Sequence, residues 1–317
     1  MKKISIVTSC YNEEGNLQEL YDRLIKMLKQ FPQYDYEIII ADNCSTDGSR
    51  EILRKLADDD KKFKVIMNAN NYGHIRSPFN ALLQASGDAV IYMCSDLQEP
   101  PEIAAKFIKE WEAGNDVVAG VKPKSRENPV MFMIRKFYYW LLAEFSDCGH
   151  IIRNFTGFGL YDRKFMDALK KYHDPYPYFR GLVGEIGFRR TEIKYIQEKR
   201  KHGKTKNNFF TLYDMAMTGF VNHSRVPLRL ATLLGFILAG VSMLIAFGYL
   251  IYKLLYWDTF ELGLAPLVVG MFFFTSIQLI FIGIVGEYVG AVYTQVQNKP
   301  LAIEDEKINF ENVPNEQ

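Results

Sequence analysis

The chain has little of what would mark several common protein classes. Its four cysteines, Cys10, Cys44, Cys94 and Cys148, lie far apart without a C-x-x-C pair, which argues against a zinc knuckle or a disulfide framework and suits free thiols in a reducing compartment. Charge of one sign is also missing: 38 Lys and Arg against 37 Asp and Glu give a formal net charge of +1, so no global field recruits nucleic acid and electrostatic selectivity must be local. There is no internal repeat and no low-complexity tract. The start imitates a signal peptide only superficially, because the apolar run from Ile4 is short and soon meets Asn12-Glu13-Glu14; it is expected to be a first strand.

Long hydrophobic runs are confined to the C-terminal third. Leu230 to Tyr252 and Leu262 to Gly286 carry no charged side chain, and each exceeds the roughly 20 residues a bilayer span requires. Only Lys253 to Glu261 separates them, which predicts a tight helical hairpin with both ends on one side. Arg225, Arg229 and the basic cluster from Lys199 to Lys206 lie on that side, against Lys253 in the short loop, so the ends are expected to be cytoplasmic and the protein multi-pass in the inner (plasma) membrane.

The first 120 residues or so alternate β-branched runs with amphipathic stretches, the pattern of a doubly wound, mainly parallel α/β sheet. Strands are predicted at Ile4–Thr8, Glu37–Ala41, Lys64–Met67 and Ala89–Met93, with a fifth opening at Asp116–Val118, and helices beginning near Gly15, Asp47 and Ile75. Ligands of such sheets bind at the carboxyl ends of the strands. The polar clusters fall there: Tyr11-Asn12-Glu13-Glu14, Asp42-Asn43, Asn70-Asn71 and Ser95-Asp96. Two stripes at helical spacing follow, Val130 to Phe145 and Phe209 to Val221, which suit either core packing or helices lying on lipid headgroups. The acidic tail from Glu304 reads as disordered.

Asp42 at a strand end can accept from a nucleobase N–H, and Asp96 is placed to hold a divalent cation against a diphosphate. Each alone is weak, since strand-end aspartates are often caps or turn formers, as Asp47 before Gly48-Ser49 is expected to be. The ordered set is specific. Ile6-Val7-Thr8-Ser9-Cys10-Tyr11-Asn12-Glu13-Glu14, Ala41-Asp42-Asn43-Cys44-Ser45-Thr46-Asp47-Gly48-Ser49, Asn71-Tyr72-Gly73 and Ser95-Asp96-Leu97-Gln98-Glu99-Pro100-Pro101-Glu102 are joined by Arg126, Phe179-Arg180-Gly181-Leu182, Gly187-Phe188, the run from Arg200 to Lys206, and Ser224-Arg225-Val226-Pro227-Leu228-Arg229. Together they resemble family 2 inverting glycosyltransferases of the GT-A fold, and within them the polyprenyl-phosphate sugar transferases, from about Lys3 to Val292.

The resemblance implies a GT-A domain over residues 1–207, an interfacial helix over 208–227, two transmembrane helices within 228–293 and a cytoplasmic tail over 294–317. It implies transfer from a UDP- or GDP-sugar to a polyprenyl phosphate at the bilayer, in cell envelope polysaccharide biosynthesis, assisted by Mg2+ or Mn2+. Tyr11, Glu13, Asp42, Asn71 and Ser95 would hold the nucleotide, Asp96 the metal, Gln98 the reacting substrates, and Arg126, Arg200 and Lys206 the acceptor phosphate, with Asp96, Gln98, Arg126 and Arg200 acting in catalysis. Guanidinium groups suit that last task because they bind phosphate oxygens bidentately. A basic juxtamembrane patch that only attracts anionic lipid is the plainer reading of Lys199–Lys206. A homo-oligomer is compatible with all of this, and no nucleic acid is implied.

Three departures bear on activity. The family's usual Asp-x-Asp is Cys94-Ser95-Asp96, in which a soft thiol replaces a hard carboxylate. Its usual Asp-Asp is Asp42-Asn43. Gly157 stands where many polyprenyl-phosphate transferases carry an aspartate proposed as base; Asp147 and Asp162 are the nearest carboxylates, and Asp162 sits in a helix-start context. A phosphate acceptor tolerates that loss, because its second pKa of about 6 leaves it largely dianionic at neutral pH. The alternatives are an inactive membrane-bound scaffold that still binds a nucleotide sugar, or a polysaccharide synthase, which would be expected to show Gln-x-x-Arg-Trp and more spans.

Overall fold

The computed structural model describes residues 1–122, 152, 154–198, 200, 226–256 and 264–310. Arg126, Lys206, Asp147, Cys148 and both amphipathic stripes lie outside the described residues.

Strands β1 (Lys3–Cys10), β2 (Asp35–Asp42), β3 (Phe63–Asn68), β4 (Ala89–Tyr92), β5 (Val117–Val121), β6 (Phe155–Asp162), β7 (Arg190–Lys194) and β8 (Glu304–Ile308) form one sheet in the order β7-β5-β6-β4-β1-β2-β3-β8. The pairs β1–β2, β1–β4, β2–β3 and β5–β7 are parallel, whereas β4–β6, β5–β6 and β3–β8 are antiparallel.

Successive residues of a strand point to opposite faces, and here both faces are buried. Ile4, Ile6, Ile38, Ile40, Val65 and Ile91 join one core, and Val7, Ile39, Ala41, Ile66 and Val90 join the other. The first is covered by α1 (Glu14–Leu28), α2 (Ser49–Asp59) and α4 (Ala104–Glu112), the second by α3 (Gly73–Leu83), α5 (Arg163–Leu169) and α6 (Phe179–Ile186). Helix α1 shows why: Leu17, Leu20, Leu24, Met27 and Leu28 recur every three or four residues on a single stripe, and all are buried. Each such side chain contributes about 1.5–3 kcal/mol of transfer free energy. Asp162 caps α5 through a 2.9 Å bond from Lys164 N to its Oδ1.

Helices α7 (Val226–Leu255) and α8 (Leu264–Gln297) follow. Both are long and apolar enough to cross a membrane, and they leave side chains such as Phe236, Leu244 and Ile282 exposed. The hydroxyls of Thr232, Ser276 and Thr294 bond to carbonyls four residues earlier, which leaves these three paired within their own helices. Helix α7 takes in the last two residues of the expected interfacial segment, and α8 runs past Gly286 to Gln297.

The expected disorder of the acidic tail is corrected by β8. This strand pairs antiparallel with β3, and its charges have partners: Glu304 accepts from Asn80 Nδ2 at 2.7 Å and from Gln84 Nε2, and Glu306 pairs with Arg54 at 2.6 Å. Asn309 Nδ2 then closes the edge on the carbonyls of Ala57 and Phe63 at 2.6 and 2.8 Å. Acidic composition signals disorder only where the charges lack such a template.

Candidate active site

The carboxyl ends of β1 and β2 are stitched together by their own loops. Asn12 N donates to Ser45 Oγ at 2.9 Å, Thr46 N to Asn12 Oδ1 at 2.8 Å, Glu13 N to Ser49 Oγ at 3.0 Å, and Gly48 N to Glu14 Oε2 at 2.8 Å. Asp47 is the turn former the sequence suggests, taking Ser49 N at 3.1 Å and Glu14 N at 3.3 Å. Asn12 and Cys44 hold φ values of 57° and 64°, and Leu97 one of 58°. Left-handed non-glycine residues gather where surrounding structure over-determines the backbone, as at binding sites.

Asp42 is fully buried at the end of β2. It accepts from Arg50 Nε at 2.7 Å and from Ser45 N at 3.2 Å, while Arg50 Nη2 reaches the Asn68 carbonyl at 2.7 Å. Cys10 Sγ lies 3.7 Å from Asp42 Oδ1, and burial, then Asp42, pushes that thiol well above its usual pKa. Asn71 is tied to the same loop through Asn43, whose Nδ2 donates to Asn71 Oδ1 at 2.7 Å. Glu13, also buried, accepts from Asn16 Nδ2 at 2.5 Å and from Arg200. Tyr11 is half-buried between these loops. Ser95 is committed to structure, donating to the Ser9 carbonyl at 2.8 Å.

Beyond β4 the chain lines a cavity of about 340 Å³ with Cys94, Asp96, Gln98 and Glu99. Ile75, Pro78, Phe79 and Leu82 of α3, with Tyr92 and Phe179, form its apolar walls, and Lys122, Thr156 and Arg180 add polar groups. The turn at Leu97 explains how neighbours diverge: its side chain enters the core, while Gln98 N donates to Asp96 Oδ1 at 3.1 Å and both polar side chains meet the cavity. Glu99 is 3% exposed, accepting from Cys94 N and from Thr156 Oγ1, each at 2.8 Å. Burial raises its pKa above the usual carboxylate value. Burial, then Glu99 and Asp96, pushes the Cys94 thiol well up, so it stays protonated.

These observations bear on a divalent cation. Among the described residues no three His, Cys, Asp or Glu side chains come together as a ligand set. A neutral buried thiol at Cys94 offers no hard ligand, but Asp96 presents carboxylate oxygen at the cavity wall. One carboxylate fits magnesium or manganese bound chiefly through substrate phosphates and water.

The structure therefore divides the expected site. Tyr11, Glu13, Asp42, Asn71 and Arg200 gather around the loops after β1, β2 and β3, and Asp96 and Gln98 face the cavity. Arg200 contacts the buried carboxylate of Glu13 rather than standing apart from that group. The sequence reasoning left Arg50, Glu99, Thr156 and Arg180 without roles. Glu99 and Arg180 lay inside quoted motifs, whereas nothing in the spacing announces that Arg50 folds back onto Asp42.

Comparison with known proteins agrees with this geometry. Residues 5–170 match the model of Glycosyl transferase family 2. An uncharacterized glycosyltransferase, YkcC of Bacillus subtilis (strain 168), is 33% identical over 97% of this chain and 95% of its own. The SfII prophage-derived bactoprenol glucosyl transferase of Shigella flexneri is 29% identical over 94% of this chain and 96% of its own. Among solved structures, glucosyl-3-phosphoglycerate synthase from Mycobacterium tuberculosis in complex with Mg2+ and UDP is 18% identical, covers 69% of this chain and 77% of its own, and superposes with a TM-score of 0.51, a likeness of fold.

Proposed function

The chain belongs to glycosyl transferase family 2, and from that premise we propose that it moves a sugar from a nucleotide diphosphate to a polyprenyl phosphate at the cytoplasmic face of a membrane. One observation carries the choice of acceptor. Similarity to the bactoprenol glucosyl transferase covers 94% of this chain, so it includes the two apolar helices as well as the nucleotide-binding sheet.

In this reading Tyr11, Glu13, Asp42 and Asn71 hold the nucleoside, Gln98 and Asp96 orient the reacting groups in the cavity, and Arg126, Arg200 and Lys206 receive the acceptor phosphate. Arg200, seated on Glu13, would link the two substrates and offset the repulsion between them. A divalent cation held by Asp96, with diphosphate oxygens and water, would neutralise charge on the leaving group. The acceptor oxygen attacks the anomeric carbon from the side opposite the diphosphate, inverting it, and the rate gain is mostly positional and electrostatic. The apolar walls exclude water that would otherwise hydrolyse the donor.

The test is detergent-purified protein with labelled UDP- and GDP-sugars and either polyprenyl phosphate or the matching polyprenol. Sugar should appear on the phosphate and not on the alcohol. No product with any donor would sink the reading and favour a nucleotide-sugar-binding scaffold. Labelling of a cysteine introduced by Thr259→Cys from outside intact cells checks the orientation; labelling only after permeabilisation would reverse it.

A further inference from the structure

We propose that Glu99 is the proton acceptor of the transfer step, taking the last acidic proton of the acceptor phosphate inside the cavity. The inference rests on the phosphate acceptor of the proposed function. Glu99 is a second carboxylate on the loop that carries Asp96, and it reaches the same cavity from a buried position. Its two oxygens are held from two elements, by Cys94 N on its own loop and Thr156 Oγ1 on β6, which fixes the carboxylate while leaving a lone pair on each oxygen. Closing the loop would not require ionisable oxygen, since a neutral amide could accept from Cys94 N through its oxygen and donate through its NH2 to the Thr156 hydroxyl, at a smaller desolvation cost.

Tyr195, 3% exposed, sets its phenol beside Glu99 and Thr156 behind the cavity wall, so the carboxylate is backed by a buried, neutral hydroxyl.

The groups facing Glu99 are consistent with this task. Burial raises its pKa most and Asp96 adds to that, while Cys94 N, Thr156 and Lys122 pull it down, and the net rise makes it a stronger proton acceptor than an exposed glutamate. Burial holds the phenols of Tyr92, Tyr161 and Tyr195 and the thiol of Cys94 neutral; Arg180 faces Cys94 and Tyr92, and His74 also lines the cavity. In the step, the P–O–H proton of the phosphate monoanion passes to Glu99. The phosphate oxygen forms its bond to the anomeric carbon, the bond from that carbon to the donor diphosphate breaks with its electron pair on the diphosphate, and Glu99 later releases the proton to water.

The experiment compares kcat for wild type and Glu99→Gln between pH 6 and 8.5, with donor KM as a control. At pH 6, where much of the acceptor is monoanionic, Glu99→Gln should lose about tenfold or more; at pH 8.5, where the dianion needs no base, the loss should shrink to about threefold or less. A merely structural Glu99 would give equal losses at every pH, and that result overturns the proposal. Thr156→Val decides the matter independently and also where Glu99→Gln does not fold. Removing a hydrogen bond that lowers the Glu99 pKa should move the acid limb to higher pH, and an unmoved limb overturns the proposal. A wild type that transfers nothing to polyprenyl phosphate removes the proposed function and this inference together; active wild type with parallel profiles removes only the inference.

Discussion

Arg50 closes over Asp42, with Nε 2.7 Å from one carboxylate oxygen and Nη2 2.7 Å from the Asn68 carbonyl, so one guanidinium joins the ends of β2 and β3. Asp42 is fully buried, and removing its partner strands a charge in the core. Arg50→Met should therefore destabilise the protein by about 3 kcal/mol, whereas Arg54→Met, which breaks the exposed pair with Glu306, should stay within about 0.5 kcal/mol. Thermal unfolding of the two variants in the same detergent makes the comparison, and equal shifts would contradict it.

Asp96 and Cys94 line one cavity with opposite chemistry, a hard carboxylate and a thiol held neutral by burial. Asp96→Ala should reduce transfer by about a hundredfold or more, and Cys94→Ala by about threefold or less. Equal losses in folded protein would mean that the thiol belongs to the site.

Gly157 has a φ of 100°, and a Cβ built there would meet the Tyr92 ring at 3.2 Å and the Phe179 ring at 3.4 Å. Gly157→Asp should therefore cost about 1–3 kcal/mol in backbone strain alone and lower activity, because both rings wall the cavity. Activity above wild type with unchanged unfolding temperature would show that the strand accommodates a carboxylate.

Glu37 lies at the opposite, amino end of the sheet, 2% exposed, bonded by Lys64 Nζ at 2.7 Å, Ser5 Oγ at 2.5 Å and Ser86 N at 2.7 Å. Burial works against its ionisation, but these donors prevail and its pKa falls below the usual value. A lowered folded pKa contributes stability above the unfolded value of about 4.3, and that stability is lost as pH falls through the folded pKa. Glu37→Gln should cost about 2 kcal/mol at pH 7, with the difference closing below about pH 4 in a pH series of melts. A difference constant with pH would assign the effect to packing.

The parts legible in the sequence are those where local pattern and tertiary role agree. Strands β1 to β4 are apolar runs buried on both faces, and α1 carries its stripe openly. Strand β6 was hidden by Gly157 and Gly159, which weaken a strand pattern but fit here, Gly159 because the Val118 carbonyl comes within 2.5 Å of where its Cβ would be. Strand β7, Arg-Thr-Glu-Ile-Lys, is a half-exposed edge with a single aliphatic side chain. Strand β8 reads Glu-Asp-Glu-Lys-Ile and becomes a strand only because β3, α2 and α3 supply its partners. In the site, the strand-end polar residues were visible as clusters. The pairings of Arg50 with Asp42 and Thr156 with Glu99 were not, because they depend on how separate loops meet.

Strand β8 also orders events in time. During synthesis β3 is made early, but the strand that covers its outer edge follows both apolar helices. Until that segment leaves the ribosome, the edge stands open as a template for pairing with other chains. The last step in completing the sheet therefore comes after both apolar helices have been made, and a chain that stops before β8 is left with an unpaired edge by which chaperones and proteases can recognise it.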